Sequence, residues 1–388
     1  HKMANSDKTK CSASSDRIYL QSIEIEGFKS ISSDSQCIRL SDVNVLLGAN
    51  GSGKSNLVSI FKLISYLATG ALQEFIGKEG FADSILHYGS KITNKMFCKL
   101  VFVADNKETC YALHLSHGMP DQIFISGENV NYQEKGQATP LDHHLPSGSR
   151  ESGLLDDDKG PCKFVLGMLR RIQSFQFHDT SDTAKIRSHG YIDDTRYLRS
   201  DGGNLAAFLR AMRDDSSSKK YYQRIVRHIQ KIMPQFKDFD IEPTNGNSKQ
   251  VRLNWRERDS DYLFGPHQIS DGSLRFMALT TLLMQPPDLL PNLIVLDEPE
   301  LGLHPAAISH LAAMVRDAAT RCQIIVATQS TRLVDEFSLD DIIIVESREE
   351  NLRFKSRYLR PDKVELQDWL KRYSTSELWE KNVFGGQP

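Results

Sequence analysis

The spacing of apolar residues predicts strands and helices that alternate along the chain. Residues 43–47 form a short, β-branched apolar run, which is typical of a strand buried on both faces. Residues 56–64 follow with apolar positions at helical spacing. Ile23, Ile25 and Gly27 alternate with polar residues, which indicates an edge or half-buried strand that runs into a turn.

Comparable patterns continue on both sides of a polar segment. Short alternating or β-branched runs predict further strands at residues 37–40, 99–104, 109–115, 123–126, 251–255, 293–296, 323–327 and 341–346. Helical spacing predicts helices at residues 163–173, 204–213, 221–233 and 274–279. Residues 127–160 are rich in Gly, Ser, Pro, Asp and His, so we expect a long exposed loop there.

Composition narrows the class of protein. The 388 residues can bury a sizeable core and predict two lobes. A net charge of −2 provides no global basic field for nucleic acid, which leaves room for a local patch. The six cysteines form no C-x-x-C pair, so their spacing indicates neither a zinc site nor a disulfide framework, and it favours the reducing cytoplasm. No apolar run reaches about 18 residues, so we expect no membrane span.

Candidate chemistry begins at residues 48–55, which read GANGSGKS. This G-x-x-x-x-G-K-[ST] pattern stands between a predicted strand and a predicted helix, as a phosphate-binding loop does. Such a loop aims backbone N–H groups at one point beside a positive helix end. Lys54 would reach the β- and γ-phosphates, and the Ser55 hydroxyl would ligate Mg²⁺. The predicted ATP-binding residues of this loop are Gly48, Asn50, Gly51, Ser52, Gly53, Lys54, Ser55 and Asn56.

Two later segments fit the same site. The predicted strand at residues 293–296 ends in Asp297 and Glu298. Beside a phosphate loop, Asp297 fits the acid on the Mg²⁺ side, and Glu298 fits the residue that polarises the attacking water. Ser270 and Gly272 open a helix, which alone would indicate an ordinary N-cap. Their position between the other two motifs favours contact with a phosphate oxygen.

Together these segments resemble the ABC-type ATPase heads of the SMC, RecF and OLD group, in particular the AAA-like ATPases of prokaryotic repair and defence modules. The resemblance rests on IEIEGFKSI, GANGSGKS, RYLRSDGGNLAAFL, ISDGSLRF, IVLDEPELGLHP, IIVATQSTRLVDEF and the ending SELWEKNVFGGQP. Residues 118–193 match weakly. The implied fold is an α/β P-loop NTPase with a two-lobe head, in which a mixed sheet is joined by a helical lobe.

The resemblance also implies that two copies of the chain enclose ATP. Ser270 and Gly272 of one copy would contact the γ-phosphate held by the other, with Glu300–His304 at the seam. Gln329 stands where such heads usually carry a γ-phosphate-sensing His, and it takes that switch role although it cannot carry a proton at neutral pH. Gln176 is the candidate for the glutamine that links Mg²⁺ to the helical lobe, with a solvent-facing glutamine as the alternative.

The predicted organisation has four parts. They are residues 1–16, a disordered tail with a cloning remnant and no signal peptide; 17–126, the first part of the ATPase lobe; 127–260, a polar loop and helical insertion; and 261–388, the second part of the ATPase lobe.

Two other clusters leave alternatives open. His143 and His144, with Asp142, fit either a metal site or the solvated side chains of a loop. A basic stripe on the helix predicted near residues 221–233 fits either DNA contact or a solvated face. Its members are Lys219, Lys220, Arg224, Arg227, His228 and Lys231.

The residues after the strand predicted at 341–346 indicate whether this chain carries a nuclease motif of its own. OLD nucleases carry a metal-binding Toprim domain after the ATPase, whereas the tail here has Asp362 and Asp368 but no Asp-x-Asp on an apolar strand. We therefore expect a cytoplasmic, Mg²⁺-dependent ATPase that forms a homodimer and acts on DNA or on a nuclease or toxin partner encoded nearby. The setting would be genome maintenance or anti-phage defence.

Two alternatives belong to other functional classes. One is a scaffold that binds ATP without hydrolysing it and restrains a toxin or nuclease. The other is a transporter's ATPase subunit, which the SMC-like start, the long middle insertion and the Asp-Gly-Ser signature disfavour.

Overall fold

The chain folds into two large sheets with helices packed on them. This computed structural model describes residues 17–133, 136–244, 247–364, 366–367 and 371–385. The predicted tail at residues 1–16, Asp368 and the last three residues of the quoted ending lie outside these ranges.

The strands are numbered in chain order. They are β1 (Tyr19–Glu26), β2 (Gln36–Arg39), β3 (Val43–Leu47), β4 (Lys95–Ala104), β5 (Lys107–Gly118), β6 (Gln122–Tyr132), β7 (Leu141–His144), β8 (Ile172–Phe175), β9 (Gly190–Tyr191), β10 (Phe236–Asp240), β11 (Pro243–Thr244), β12 (Asn247–Val251), β13 (Asn254–Glu257), β14 (Leu263–Phe264), β15 (Leu293–Asp297), β16 (Gln323–Thr328), β17 (Ile342–Glu350) and β18 (Arg353–Leu359).

The helices are numbered in the same way. They are α1 (Lys54–Ala68), α2 (Leu72–Glu79), α3 (Ala82–Ile85), α4 (Gly160–Arg170), α5 (Leu205–Asp214), α6 (Lys219–Ile232), α7 (Asp271–Met284), α8 (Pro305–Ala318), α9 (Thr331–Val334) and α10 (Thr375–Glu380).

The central sheet gathers the predicted motifs at one edge. Its order is β18-β17-β3-β16-β15-β8, and all neighbours are parallel except β18, which pairs antiparallel with β17. The carboxyl ends of parallel strands meet at one edge. Here β3 runs into Gly48, β15 ends at Asp297, β16 ends at Thr328 and β8 ends one residue before Gln176.

Both faces of the central sheet are buried. Successive side chains on a strand point to opposite sides of the sheet, so neighbouring residues of β3 enter different cores. Val45 and Leu47 join a core built with α5, α6, α7 and α8. Leu46 joins a second core, built with α1, α4 and the antiparallel sheet β2-β1-β4-β5-β6-β7. The expectation of a mixed sheet with a helical lobe is confirmed.

The prediction of a long exposed loop at residues 127–160 is wrong. Strand β6 continues to Tyr132, β7 pairs with it, and a 3₁₀ turn follows at Gly153–Leu155. Glu128 is 3% exposed, and it accepts hydrogen bonds from the Tyr111 hydroxyl (2.6 Å) and the Gly153 N–H (2.9 Å). Polar residues suit an antiparallel strand because one face of such a sheet can meet water.

Smaller corrections concern element ends. The helix predicted at 163–173 stops at Arg170, and the chain turns into β8. The strand predicted at 251–255 is divided between β12 and β13. Strand β1 lies between β2 and β4, so it is half-buried and not an edge. Strand β18 was not predicted.

Candidate nucleotide site

The phosphate loop joins β3 to α1, as predicted. Gly51 has φ of +79° and Gly53, the N-cap of α1, has φ of +119°, conformations that favour glycine. A Cβ on Gly53 would also collide with the Ser356 side chain. The loop is therefore closed tightly against β18 while its outer residues, Asn50 and Ser55 among them, stay exposed.

Strand β18 braces the loop from behind, a role that the motif did not reveal. The Ser356 hydroxyl donates to the Ser52 carbonyl at 2.6 Å, and the Tyr358 hydroxyl donates to the Gly53 carbonyl at 2.8 Å. Ser30 joins this support, because its hydroxyl lies 2.7 Å from that of Ser356. The alternation of Ser356 and Tyr358 was the available signal for a strand with one face on the loop.

Lys54 connects the loop to the acidic strand. Its side chain is 7% exposed, and the ammonium donates to the carbonyls of Gly48 and Ala49, the latter at 3.1 Å. Burial lowers the pKa of this ammonium. The nearby negative charges of Glu298, Asp297 and Glu300 act on the same pKa in the opposite direction. The cation and the acidic segment thus share one electrostatic environment.

Gln176 lies against the predicted Mg²⁺-side acid. Strands β8 and β15 pair in parallel, so the residue after β8 stands beside the end of β15. The Gln176 side-chain amide donates to Asp297 Oδ2 at 3.0 Å. This contact favours the glutamine-loop interpretation over the solvent-facing alternative.

Glu298 has a constrained backbone. Its φ is +45°, which is unusual for a residue with a side chain, and its N–H donates to the Ala327 carbonyl at 2.7 Å. Such conformations cost on the order of 1–3 kcal/mol and cluster at functional sites. The turn after β15 is therefore tied to β16 through the Glu298 backbone, and Glu298 itself is half-buried.

A buried carboxyl supports the segment that carries Gln329. The Thr328 hydroxyl donates to Glu300 Oε1 and accepts from the Ser330 N–H at 2.9 Å. These contacts hold the residues on both sides of Gln329, whose own side chain is exposed. Sequence analysis assigned Glu300 to the dimer seam and missed this internal contact.

The free energy of unfolding should depend on pH through Glu300. Burial raises the pKa of its carboxyl from 4.5 to about 7, and the charges of Glu298 and Asp297 add to the rise. The folded protein therefore holds this proton more tightly, so the contribution of Glu300 to stability is fully present below pH 4.5 and is lost as pH rises through about 7. Relative to Glu300→Gln, the wild type should lose on the order of 3 kcal/mol across that range.

Nucleotide-free denaturant titrations of both proteins at several pH values measure this difference. A difference that stays constant with pH would contradict the assignment to Glu300.

The signature residues lie apart from the phosphate loop within one chain. Ser270 is exposed and caps α7, with its hydroxyl accepting from the Ser273 N–H at 3.2 Å. Gly272 approaches the Gly302 carbonyl so closely that a Cβ would collide with it. Among the contacts of the described residues, none joins Ser270 or Gly272 to residues 48–56.

Two arginines that sequence analysis missed organise the signature region. Arg187 is 4% exposed and donates to the carbonyls of Pro266 (2.6 Å) and Ile269 (2.9 Å) and to Asp271 Oδ1 (2.8 Å). The loop before α7 is therefore held by a buried, fully engaged cation.

Arg275, on α7, connects the signature helix to the acidic edge. It donates to the carbonyls of Phe177 (3.2 Å) and His178 (3.0 Å), which follow Gln176, and to the carbonyl of Leu301 (3.3 Å). One side chain thus joins the glutamine segment, the signature helix and the turn after Glu298.

Two family models match the chain. One, described as an AAA domain, matches residues 22–239, which include the phosphate loop and Gln176. The other, described as "AAA domain, putative AbiEii toxin, Type IV TA system", matches residues 166–335, which include the signature and the acidic pair. The chain belongs to the AAA-domain family.

Two solved structures are similar to this AAA-domain chain over most of its length. An Smc head bound to the C-winged helix domain of ScpA is 16% identical with a TM-score of 0.55, over 89% of this chain and 99% of that one. A Pyrococcus furiosus Smc head domain with an extended coiled coil, bound to the C-terminal domain of ScpA, is 14% identical with a TM-score of 0.54, over 92% and 100%. The fold is that of an ABC-type, SMC-like ATPase head.

A curated relative is similar over a shorter stretch. The chromosome partition protein Smc of Clostridium kluyveri (strain NBRC 12016) is 26% identical over 129 residues, 33% of this chain. The chain spans 10% of the length of that relative.

The basic stripe of this AAA-domain head is partly engaged. Arg224 pairs with Asp317 at 3.0 Å, and His228 lies 2.8 Å from His310, so these members turn toward α8. Lys219, Lys220, Arg227 and Lys231 are exposed. The contacts support a solvated face on which two members are paired with α8, and they leave DNA contact untested.

In the described parts of the head, every helix is too short or too polar to cross a membrane.

Proposed function

We propose that this head binds ATP with Mg²⁺, hydrolyses it, and uses ATP-dependent pairing of two copies to act on DNA or on an effector protein. The observation that carries the proposal is the convergence of Lys54, Gln176, Asp297 and Glu298 at one edge of the parallel sheet. The proposed setting is genome maintenance or anti-phage defence, with a nuclease or toxin as the effector. The four-part organisation predicted from sequence stays a prediction.

The residues present fit a nucleotide with Mg²⁺. The loop backbone forms a cradle that a Cβ at Gly53 would not allow, and the buried Ser52 hydroxyl has no hydrogen-bond partner within the described chain. The exposed Ser55 hydroxyl, the Asp297 carboxylate and the Gln176 amide supply the oxygen ligands that Mg²⁺ prefers. Ser55, Asp297 and Gln176 would hold the ion, whose positive charge would offset the negative charge that develops on the phosphates.

Each side chain then has a defined task. Lys54 would turn from the loop carbonyls to the phosphates, where its charge stabilises the transferring group. Glu298 would orient a water molecule and polarise it toward attack. Gln329 would donate a hydrogen bond to the γ-phosphate and report its presence.

Pairing of two copies would complete the site. Ser270 is exposed at the amino end of α7, and Gly272 rests on the turn that contains Gly302. A helix amino end with free N–H groups suits a phosphate oxygen. Among the contacts of the described part of the chain, none joins these residues to the phosphate loop, so the proposed arrangement has each copy supply the signature to the other.

The decisive experiment is steady-state ATP turnover of the purified chain, with and without DNA. Turnover that requires Mg²⁺ and both Lys54 and Glu298 supports the proposal. Stoichiometric ATP binding with no turnover in either condition would favour the non-hydrolysing scaffold instead. Co-purification from the native operon would identify the effector.

Gln176→Ala should raise the Mg²⁺ concentration that gives half-maximal turnover by about tenfold or more, because it removes a partner of the metal-side carboxylate. Gln173→Ala is the matched control, since that side chain donates to the Arg170 carbonyl three residues earlier. Equal Mg²⁺ dependence in the two variants would contradict the role given to Gln176.

A further inference from the structure

Among the described residues, His143, Asp157 and Cys162 bring three metal-binding atoms together, away from the nucleotide site. Nε2 of His143 lies 2.7 Å from Oδ2 of Asp157, and these atoms and Sγ of Cys162 all lie within 4.8 Å of one another. Ligand atoms around one tetrahedral zinc ion lie about 3–4 Å apart. The three atoms thus lie close to the spacing that ligands of one ion have.

Three separate segments build this cluster. His143 is on β7, Cys162 is in the first turn of α4, and Asp157 is in the connection between them. The Lys159 N–H donates to Asp157 Oδ1 at 2.9 Å, which fixes the carboxylate as an outer hydrogen bond does in metal sites. Asp142, the acidic residue considered beside His143 and His144 from the sequence, lies elsewhere and accepts from Asn131 at 2.8 Å.

Burial and charge favour a divalent cation. The Cys162 side chain is fully buried, whereas those of His143 and Asp157 are 20% and 19% exposed, so the cluster opens to solvent on one side. A thiolate and a carboxylate together carry the two negative charges that neutralise such an ion. A set of one nitrogen, one oxygen and one sulfur suits Zn²⁺, whereas Mg²⁺ requires oxygen.

We propose that His143, Asp157 and Cys162 bind one zinc ion, with solvent in the remaining position. The site joins β7, at the edge of the antiparallel sheet, to α4. Since α4 leads through Arg171 into β8 and Gln176, the ion braces the segment that reaches the nucleotide edge. This inference does not depend on ATP hydrolysis.

Spectroscopy of the full chain with Co²⁺, which replaces Zn²⁺ in such sites, provides the test. We expect a thiolate-to-cobalt charge-transfer absorption that saturates at one ion per chain and disappears when Zn²⁺ is added. Excess Mg²⁺ should leave this absorption unchanged, because Mg²⁺ prefers oxygen ligands such as those of Ser55 and Asp297 and does not compete for the thiolate. Cys162→Ser should abolish the band, and His143→Ala should weaken Co²⁺ binding by about tenfold or more.

Matched controls come from the same residue types. Cys37→Ser changes an exposed cysteine on β2, and His144→Ala changes the exposed neighbour of His143 on β7; both should bind Co²⁺ as the wild type does. If Cys162→Ser does not fold, His143→Ala and Asp157→Asn decide, since both positions are partly exposed. A missing band in the wild type, or an unchanged one in those two variants, would overturn the proposal.

Thermal unfolding provides a second readout. Zn²⁺ should raise the unfolding midpoint of the wild type and of His144→Ala, because a ligand that binds the folded state stabilises it. The rise should be smaller for His143→Ala at the same Zn²⁺ concentration, because that variant binds the ion more weakly. A wild-type midpoint that does not respond to Zn²⁺ would also overturn the site.

Discussion

Glu298→Gln should lower ATP turnover by about 10²-fold or more while ATP binding persists. The amide keeps the size of the side chain but loses the charge that polarises water. The positive φ of Glu298 and its N–H bond to Ala327 do not involve the carboxylate, so the substitution should leave the backbone in place. Single-turnover phosphate release and equilibrium binding of labelled ATP measure the two effects separately.

The variant should also accumulate as an ATP-bound dimer, which light scattering after size-exclusion chromatography detects. Glu108→Gln is the control, because it makes the same chemical change at an exposed residue of β5. Turnover in Glu298→Gln equal to that of the wild type would remove Glu298 from the mechanism.

Ser270→Arg should abolish ATP-dependent pairing and lower turnover by about 10²-fold, with ATP binding to the separate chain unchanged. Ser270 is exposed, so the larger side chain does not disturb a core. It would instead occupy the place where the partner's nucleotide is proposed to meet α7. Ser216→Arg, at an exposed serine in the turn before α6, is the control for added charge and bulk.

Mixing variants tests which copy supplies the signature. Lys54→Ala and Ser270→Arg each damage both sites of a homodimer, whereas a mixed dimer contains one site with both residues intact. Turnover in the mixture above that of either variant supports contact between copies. Full pairing and turnover by Ser270→Arg alone would contradict it.

Three strands of the central sheet were predictable as elements, because β3, β15 and β16 are apolar runs whose ends carry Gly48, Asp297 and Thr328. A strand that is buried on both faces is a continuous apolar run, so it can be predicted without knowledge of its neighbours. The strands of the antiparallel sheet were harder to predict. Its outer strands β6 and β7 alternate with polar residues and resemble a loop in composition.

The candidate site was predictable where its chemistry lies in one short stretch. The phosphate loop and the acidic pair each occupy a few consecutive residues, so their spacing alone indicates nucleotide chemistry. Gln176 was weaker, because nothing local distinguishes it from a solvent-facing glutamine. Its value became evident only through the 3.0 Å contact with Asp297, 121 residues later.

The sequence by itself determined the order of the motifs in this AAA-domain chain: the segment GANGSGKS, a helix that opens at Ser270, and a strand that ends in Asp297 and Glu298. Only the tertiary structure decided what holds those parts in place. Ser356 meets the loop carbonyl of Ser52 across 304 residues, and Arg275 reaches the Phe177 carbonyl across 98. Strand order and register create such contacts. The spacing of residues within one segment does not indicate which distant side chain will complete a buried hydrogen bond.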